Sequence, residues 1–149
     1  MYRLVLRCAA ALVFLTMVGS CGNRTNNEQA AACADSFAIN YFNWNFNGAA
    51  RFCTPESVRW LQFAASQVTL ADIDTLRVKA HGADVEITDM TMNSDESQAD
   101  ISLTVTDFMT PAAIGHGAEA MARQTFKLTA VRVGDGWKIK MEDLPRSER

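Results

Sequence analysis

The chain is 149 residues long and 48% hydrophobic, with 14 Lys and Arg against 17 Asp and Glu and a net charge of −3. Length and balance suit one globular domain and exclude a disordered or collagen-like chain. Basic residues form no run, which argues against partners gripped by charge alone, nucleic acid and anionic lipid headgroups among them.

The amino terminus stands apart. Arg3 and Arg7 precede an apolar run over residues 8–18, the layout of an export signal. The run is well short of the roughly twenty apolar residues needed to cross a bilayer. It ends in Val18-Gly19-Ser20-Cys21, which resembles the lipobox of bacterial lipoproteins: an aliphatic residue, two small ones, then cysteine. A plain secretory signal with a chance cysteine is the competing reading. The resemblance implies that residues 1–20 are removed as a signal peptide and that Cys21 takes fatty acyl groups such as palmitate. At ~0.8 kcal/mol per buried methylene, two or more acyl chains make a permanent membrane anchor. The mature chain would keep 149 less 20, or 129, residues, and loss of the two arginines would take its charge to −5. Residues 21–29 are polar without an apolar period and read as a flexible tether. Gly22, rather than an acidic residue, follows Cys21. By resemblance to lipoprotein sorting, that implies the outer membrane, facing the periplasm.

With Cys8 removed and Cys21 acylated, two of the four cysteines remain, Cys33 and Cys53. An oxidising compartment permits a disulfide between them. The plainer reading is two buried thiols acting as small hydrophobes. A reactive thiol has little support, since no His or Lys flanks either position. Two cysteines and two distant histidines have no metal-ligand spacing, and nothing in the sequence calls for a cofactor.

A single domain is expected over residues 30–145, with 146–149 as a tail. Over residues 30–46, Cys33, Phe37, Tyr41 and Trp44 recur at helical spacing beside Ala30, Ala34 and Ala38. Asn47-Gly48 stops this helix, and a short helical turn follows over 49–52. Thr54-Pro55-Glu56 is a helix start, leading a helix to about Gln67 with Val58, Leu61, Phe63 and Ala64 facing inward. Thr69 and Asp72 mark a further capped start, and Gly82 closes the helical half. From Ala83 the period becomes two. Val85 and Ile87 alternate with charges, an irregularity falls at Asp89, and Met90 and Met92 follow. Ala99, Ile101, Leu103 and Val105 define a second half-buried strand. Pro111, Gly115 and Gly117 break the pattern. A third strand covers 121–133, with a bulge expected between Ala130 and Val131, where the apolar phase flips. Gly134-Asp135-Gly136 reads as a hairpin turn before Trp137, Ile139 and Met141.

Three helices followed by a four-stranded antiparallel meander is an α+β order. With Gly136-Trp137-Lys138-Ile139-Lys140-Met141 at its end, it resembles the nuclear transport factor 2-like superfamily, cone-shaped domains whose helices pack on a curved sheet. Tyr41-Phe42-Asn43, the Phe52-Cys53-Thr54-Pro55-Glu56-Ser57 stretch with Trp60-Leu61, and Met141-Glu142-Asp143-Leu144-Pro145-Arg146-Ser147 resemble a group of small lipoproteins from Bacteroidetes-type bacteria. The superfamily includes isomerases, dehydratases and non-catalytic binding domains, so shape does not select an activity. Its enzymes use a pocket between the first helix and the sheet, where an Asp or His acts as base. Here the residues expected at that place, Phe37, Tyr41, Trp60, Phe63, Leu103 and Val105, are apolar or aromatic.

Charged candidates are few. Asp107, His116 and Glu119 share one irregular stretch and could pair as base and orienter, but Gly115-His116-Gly117 is a loose setting for a catalytic imidazole. His81 reads as a helix-end residue, and Asp35 and Asp100 as solvent-facing. No catalytic residue is assigned. The sequence therefore points to a lipid-anchored, non-catalytic envelope domain that binds a small apolar ligand or a protein partner. The alternatives are an isomerase- or dehydratase-like enzyme, or a structural subunit of an envelope complex.

Overall fold

The computed structural model describes residues 25–110 and 117–148. It is an α+β arrangement, with the helices preceding a four-stranded sheet of order β1-β2-β3-β4.

Helix α1 spans Asn26–Phe42, so it takes in most of the residues expected to form the end of the tether. The cause is a capping box. Thr25 Oγ1 accepts from the Glu28 N–H at 3.3 Å, and Glu28 Oε2 accepts from the Thr25 N–H at 3.0 Å. The stripe of Ala30, Cys33, Ala34, Phe37, Ala38 and Tyr41 is buried, as its spacing requires. The helix ends before the expected Phe46. Trp44 takes a left-handed φ of 60°, and the Asn45 side chain caps a separate helix α2, Phe46–Ala50, by accepting from the Gly48 N–H at 3.0 Å. Asparagine side chains compete for backbone groups in this way and favour a break. A Cβ at Gly48 would meet the ends of the Asn40 and Asn45 side chains, which would have to shift to admit it. The helical part thus holds four α-helices rather than three: α3 is Val58–Ser66, entered through a 3-10 turn at Pro55–Ser57, and α4 is Leu70–Val78.

The sheet is a meander of β1 (Asp84–Met92), β2 (Gln98–Met109), β3 (Ala120–Val133) and β4 (Gly136–Lys140). All pairings are antiparallel. The β1 irregularity is present, and the register shifts between Ile87 and Asp89. This extra residue keeps Met90 and Met92 on the same face as Val85 and Ile87, where they pair with Ile101 and Ala99. The bulge expected between Ala130 and Val131 is absent: both neighbours pair with β3 through those residues without a shift. The apolar phase flips only because Val131 and Val133 occupy the outer face, where Val133 is 51% exposed.

One phase change escaped the alternation pattern. Asp107 adopts φ 52°, a conformation Asp tolerates better than most residues. It leaves Asp107 exposed and turns Phe108 into the core. There Phe108, Phe42 and Phe126 meet, with ring centroids 4.6–5.5 Å apart. The core lies between α1 and the inner sheet face. Ile101, Leu103, Val105, Ala130 and Ile139 have no exposed surface.

Residues 52–54 close the free edge of β4. The Ile139 N–H donates to Phe52 O at 2.6 Å, and the Thr54 N–H to Ile139 O at 2.9 Å. Beyond β4 the chain returns to the sheet. Ser147 bridges Phe126, and the Glu148 N–H donates to Thr125 O at 2.8 Å, so the stretch expected as a tail contacts the domain as far as its last described residue.

The candidate pocket, the thiol pair and the free end

Cys21, the expected lipidation site, and His116 lie outside the described residues, as do residues 1–20 of the expected signal. The pocket residues can all be placed. Phe37, Leu103 and Val105 have no exposed surface and Tyr41 only 2%. Phe37 stacks on Tyr41 at 5.6 Å, and Tyr41 meets Phe42 and Phe46 edge-on at 5.0 and 5.8 Å. These four residues form packed core. Trp60 is half-buried, with Arg59 5.1 Å over its ring and its indole N–H without a hydrogen-bond partner. Phe63, expected to face inward, is 43% exposed. It follows the buried Leu61 and precedes the buried Ala64, so the helix's inner stripe passes it by. The structure therefore gathers four of the six residues and separates Phe63 from them.

Burial raises the pKa of the Tyr41 phenol above its ordinary value, and the nearby Asp143 carboxylate adds to this. The phenol is thus held neutral, as a donor rather than a base. Asp107 and Glu119 are exposed, and His81 at the end of the helical half is exposed too. Among the described residues, no group of three or more His, Cys, Asp or Glu is placed to hold a metal ion.

Grooves elsewhere on the described surface have walls of mixed charged, polar and apolar side chains. One of about 460 Å³ lies between β3, β4 and residues 141–146 and includes Lys127, Lys140 and Arg146. Each cation has an acidic partner: Lys127 with Glu148 at 3.3 Å, Lys140 with Glu142 at 3.0 Å, and Arg146 with Asp143. Little uncompensated charge remains to hold an anion. None of the six expected pocket residues lines this groove or the smaller ones of about 360 and 320 Å³.

Cys33 and Cys53 are both buried thiols. Cys33 donates to Trp137 O at 3.2 Å and lies 3.7 Å from Phe52 O, while Cys53 donates to Ala49 O at 3.5 Å. Burial pushes the Cys33 thiol up to about 11 and the Cys53 thiol up to about 12, the latter further raised by Cys33 itself.

Two long-range ties emerged that no short motif announces. Ser57, wholly buried, accepts from the Met141 N–H at 2.8 Å and lies 2.8 Å from Thr54 Oγ1. Asp72 does more than cap α4. Its Oδ2 accepts from the Thr69 N–H at 2.9 Å, while Oδ1 accepts from the Ala118 N–H at 3.0 Å. These bonds, that from Ala118 first, hold its carboxyl below the usual range. The Thr69 and Asp72 spacing signals the cap, but nothing in the sequence signals the bond to Ala118.

Helix α4 is held mainly through polar contacts. Besides Asp72, the Lys79 ammonium just after it donates to Asp107 O at 2.6 Å. Of its apolar residues, Leu70 is 81% and Val78 83% exposed. The ends of α1 place this helix relative to Thr25, the first described residue. Near Thr25, Asn26 bonds Glu96 in the β1–β2 turn. At the other end, Asn43 accepts from the Ala83 N–H at 2.8 Å, where α4 leads into β1. A 17-residue helix separates the two ends by about 25 Å.

Comparison with protein-family models gives no match, and neither does comparison with curated proteins. Among solved structures, the chain is similar to the intermembrane space region of chloroplast protein ARC6. The identity is 12%, the match covers 81% of this chain and 92% of that one, and the TM-score is 0.40. At that level the likeness carries nothing about function.

Proposed function

We propose that this chain is a lipid-anchored, non-catalytic domain of the bacterial cell envelope that presents its α4 end to a protein partner. The observation that carries this reading is the exposure of Leu70 and Val78 on α4, at 81% and 83%. Burying side chains of this kind against a partner gains about 1.5–3 kcal/mol each. The anchor at Cys21, the signal over residues 1–20 and the outer-membrane location rest on the lipobox resemblance. From Cys21, four residues of chain span at most about 14 Å to Thr25. The Thr25 end is thus kept near the bilayer, and α4 faces away from it. A partner reaching α4 is therefore a protein rather than the membrane that holds the anchor.

The order of helices and meander supports the narrower reading of a nuclear transport factor 2-like lipoprotein. Of the two occupants the sequence suggests, the apolar ligand is less favoured, because Phe37, Tyr41, Leu103 and Val105 already fill the layer where it would sit. An isomerase- or dehydratase-like role would need an Asp or His among them.

Site-specific photo-cross-linking in intact cells tests the partner. A cross-linker at Leu70 should give one product of defined mass that is lost when Val78→Asp is added, and a cross-linker at Val78 one that is lost when Leu70→Asp is added. A cross-linker at Glu86 or Lys138 should give none. Equal products at all four positions, or none at any, would overturn the reading.

A further inference from the structure

We infer that Cys33 and Cys53 are a disulfide-forming pair that fastens α1 to the segment closing the β4 edge. The two thiols stand on different elements but meet over one short stretch of backbone. Cys33 Sγ is 3.7 Å from the carbonyl oxygen of Phe52, the residue whose peptide bond leads into Cys53. That oxygen lies roughly 3 Å from the next Cα in a trans peptide, so the Cys33 sulfur is at most about 7 Å from the Cys53 Cα. Both residues also meet β4, at positions two apart. Cys33 donates to Trp137 O, and Cys53 bridges Ile139.

Little hydrogen bonding is lost when the bond forms. S–H groups are weak donors, and two of their acceptors keep stronger ones. Ala49 O still accepts from the Phe52 N–H at 2.9 Å, and Phe52 O from the Ile139 N–H at 2.6 Å. Each sulfur gives up its hydrogen as the S–S bond forms. The two electrons and two protons pass, through a mixed disulfide, to a disulfide-form donor that leaves as two thiols. Because burial keeps both sulfurs protonated in the folded chain, exchange there is slow. The bond is made while the chain is still folding, and afterwards it is shielded.

The presence of an oxidant rests on the envelope reading, whereas the pairing does not. Two arms separate them. In the first, the full chain is purified from cells with free thiols blocked at lysis. The expected result is a mass two hydrogens below the reduced form, with peptides containing Cys33 and Cys53 joined. In the second, the Cys8→Ser/Cys21→Ser full chain is denatured, reduced and refolded in a mixture of reduced and oxidised glutathione. The expected product is the intramolecular bond, and its reduction should lower Tm by about 10 °C. A bond formed on refolding but missing from cells would uphold the pairing and sink the envelope reading. Two alkylated thiols after refolding, or bonds only between chains, would overturn the pairing.

Discussion

Ser57 and the two thiols show how much single buried groups carry in this domain. The Ser57 hydroxyl has no exposed surface, and it supplies the acceptor for the Met141 N–H at 2.8 Å. A buried donor left without its acceptor costs about 1–3 kcal/mol. Ser57→Ala should therefore lower the free energy of unfolding in urea by that amount, and an unchanged midpoint would show that the bond contributes nothing. The thiols give a pH signature in the reduced protein. Their folded values of about 11 and about 12 lie above the ordinary 9.0. The stability their burial confers is complete below pH 9 and is lost as pH rises towards the folded values. Between pH 8 and 10.5, reduced protein should lose on the order of 1 kcal/mol per thiol. Tyr41, shifted in the same sense by burial and Asp143, adds to the loss. In Cys33→Ala/Cys53→Ala protein the urea midpoint should vary less over that range; an equal variation would place its source elsewhere.

Among the elements, α4 has a cap carboxylate that also ties it to a distant part of the chain. Asp72 joins its own cap to Ala118 across the molecule. Its lowered carboxyl value means that the contribution is present above pH 3.8 and is lost as pH falls below that. Asp72→Ala should raise amide exchange in Leu70–Val78 about tenfold at neutral pH while leaving β2 and β3 unchanged. A uniform rise across the sheet would mean that α4 and the core open together. The elements that could be read from sequence were those set by repeating apolar spacing or by turn chemistry. The α1 stripe, the shift near Asp89 and the turn at Gly134 are all present, Gly134 with φ 60°. Side chains that act on backbone out of period were harder to read. Asn45 splits the first helix, and the left-handed Asp107 sends Phe108 inward. Phe63, expected inward with Leu61 and Ala64, sits on the opposite side of the helix from them and is 43% exposed.

At the scale of the whole molecule, the candidate pocket was legible as a set of residues but not as a cavity. Aromatic and aliphatic residues at core spacing look the same in sequence whether they line a space or fill it. Only packing distances such as the 5.6 Å between Phe37 and Tyr41 separate the two cases. The polarity of the domain follows from α1 instead, with its Asn26 end beside the β1–β2 turn and α4 at the far end. The proposed anchor gives that polarity its meaning, because it decides which end meets the bilayer. Mass spectrometry of the amino-terminal peptide, from protein extracted with detergent from bacterial membranes, tests this most directly. The predicted result is a mature chain beginning at Cys21 whose mass includes a diacylglyceryl group and a further acyl chain. A chain still carrying residues 1–20, or one starting at an unmodified Cys21, would contradict it.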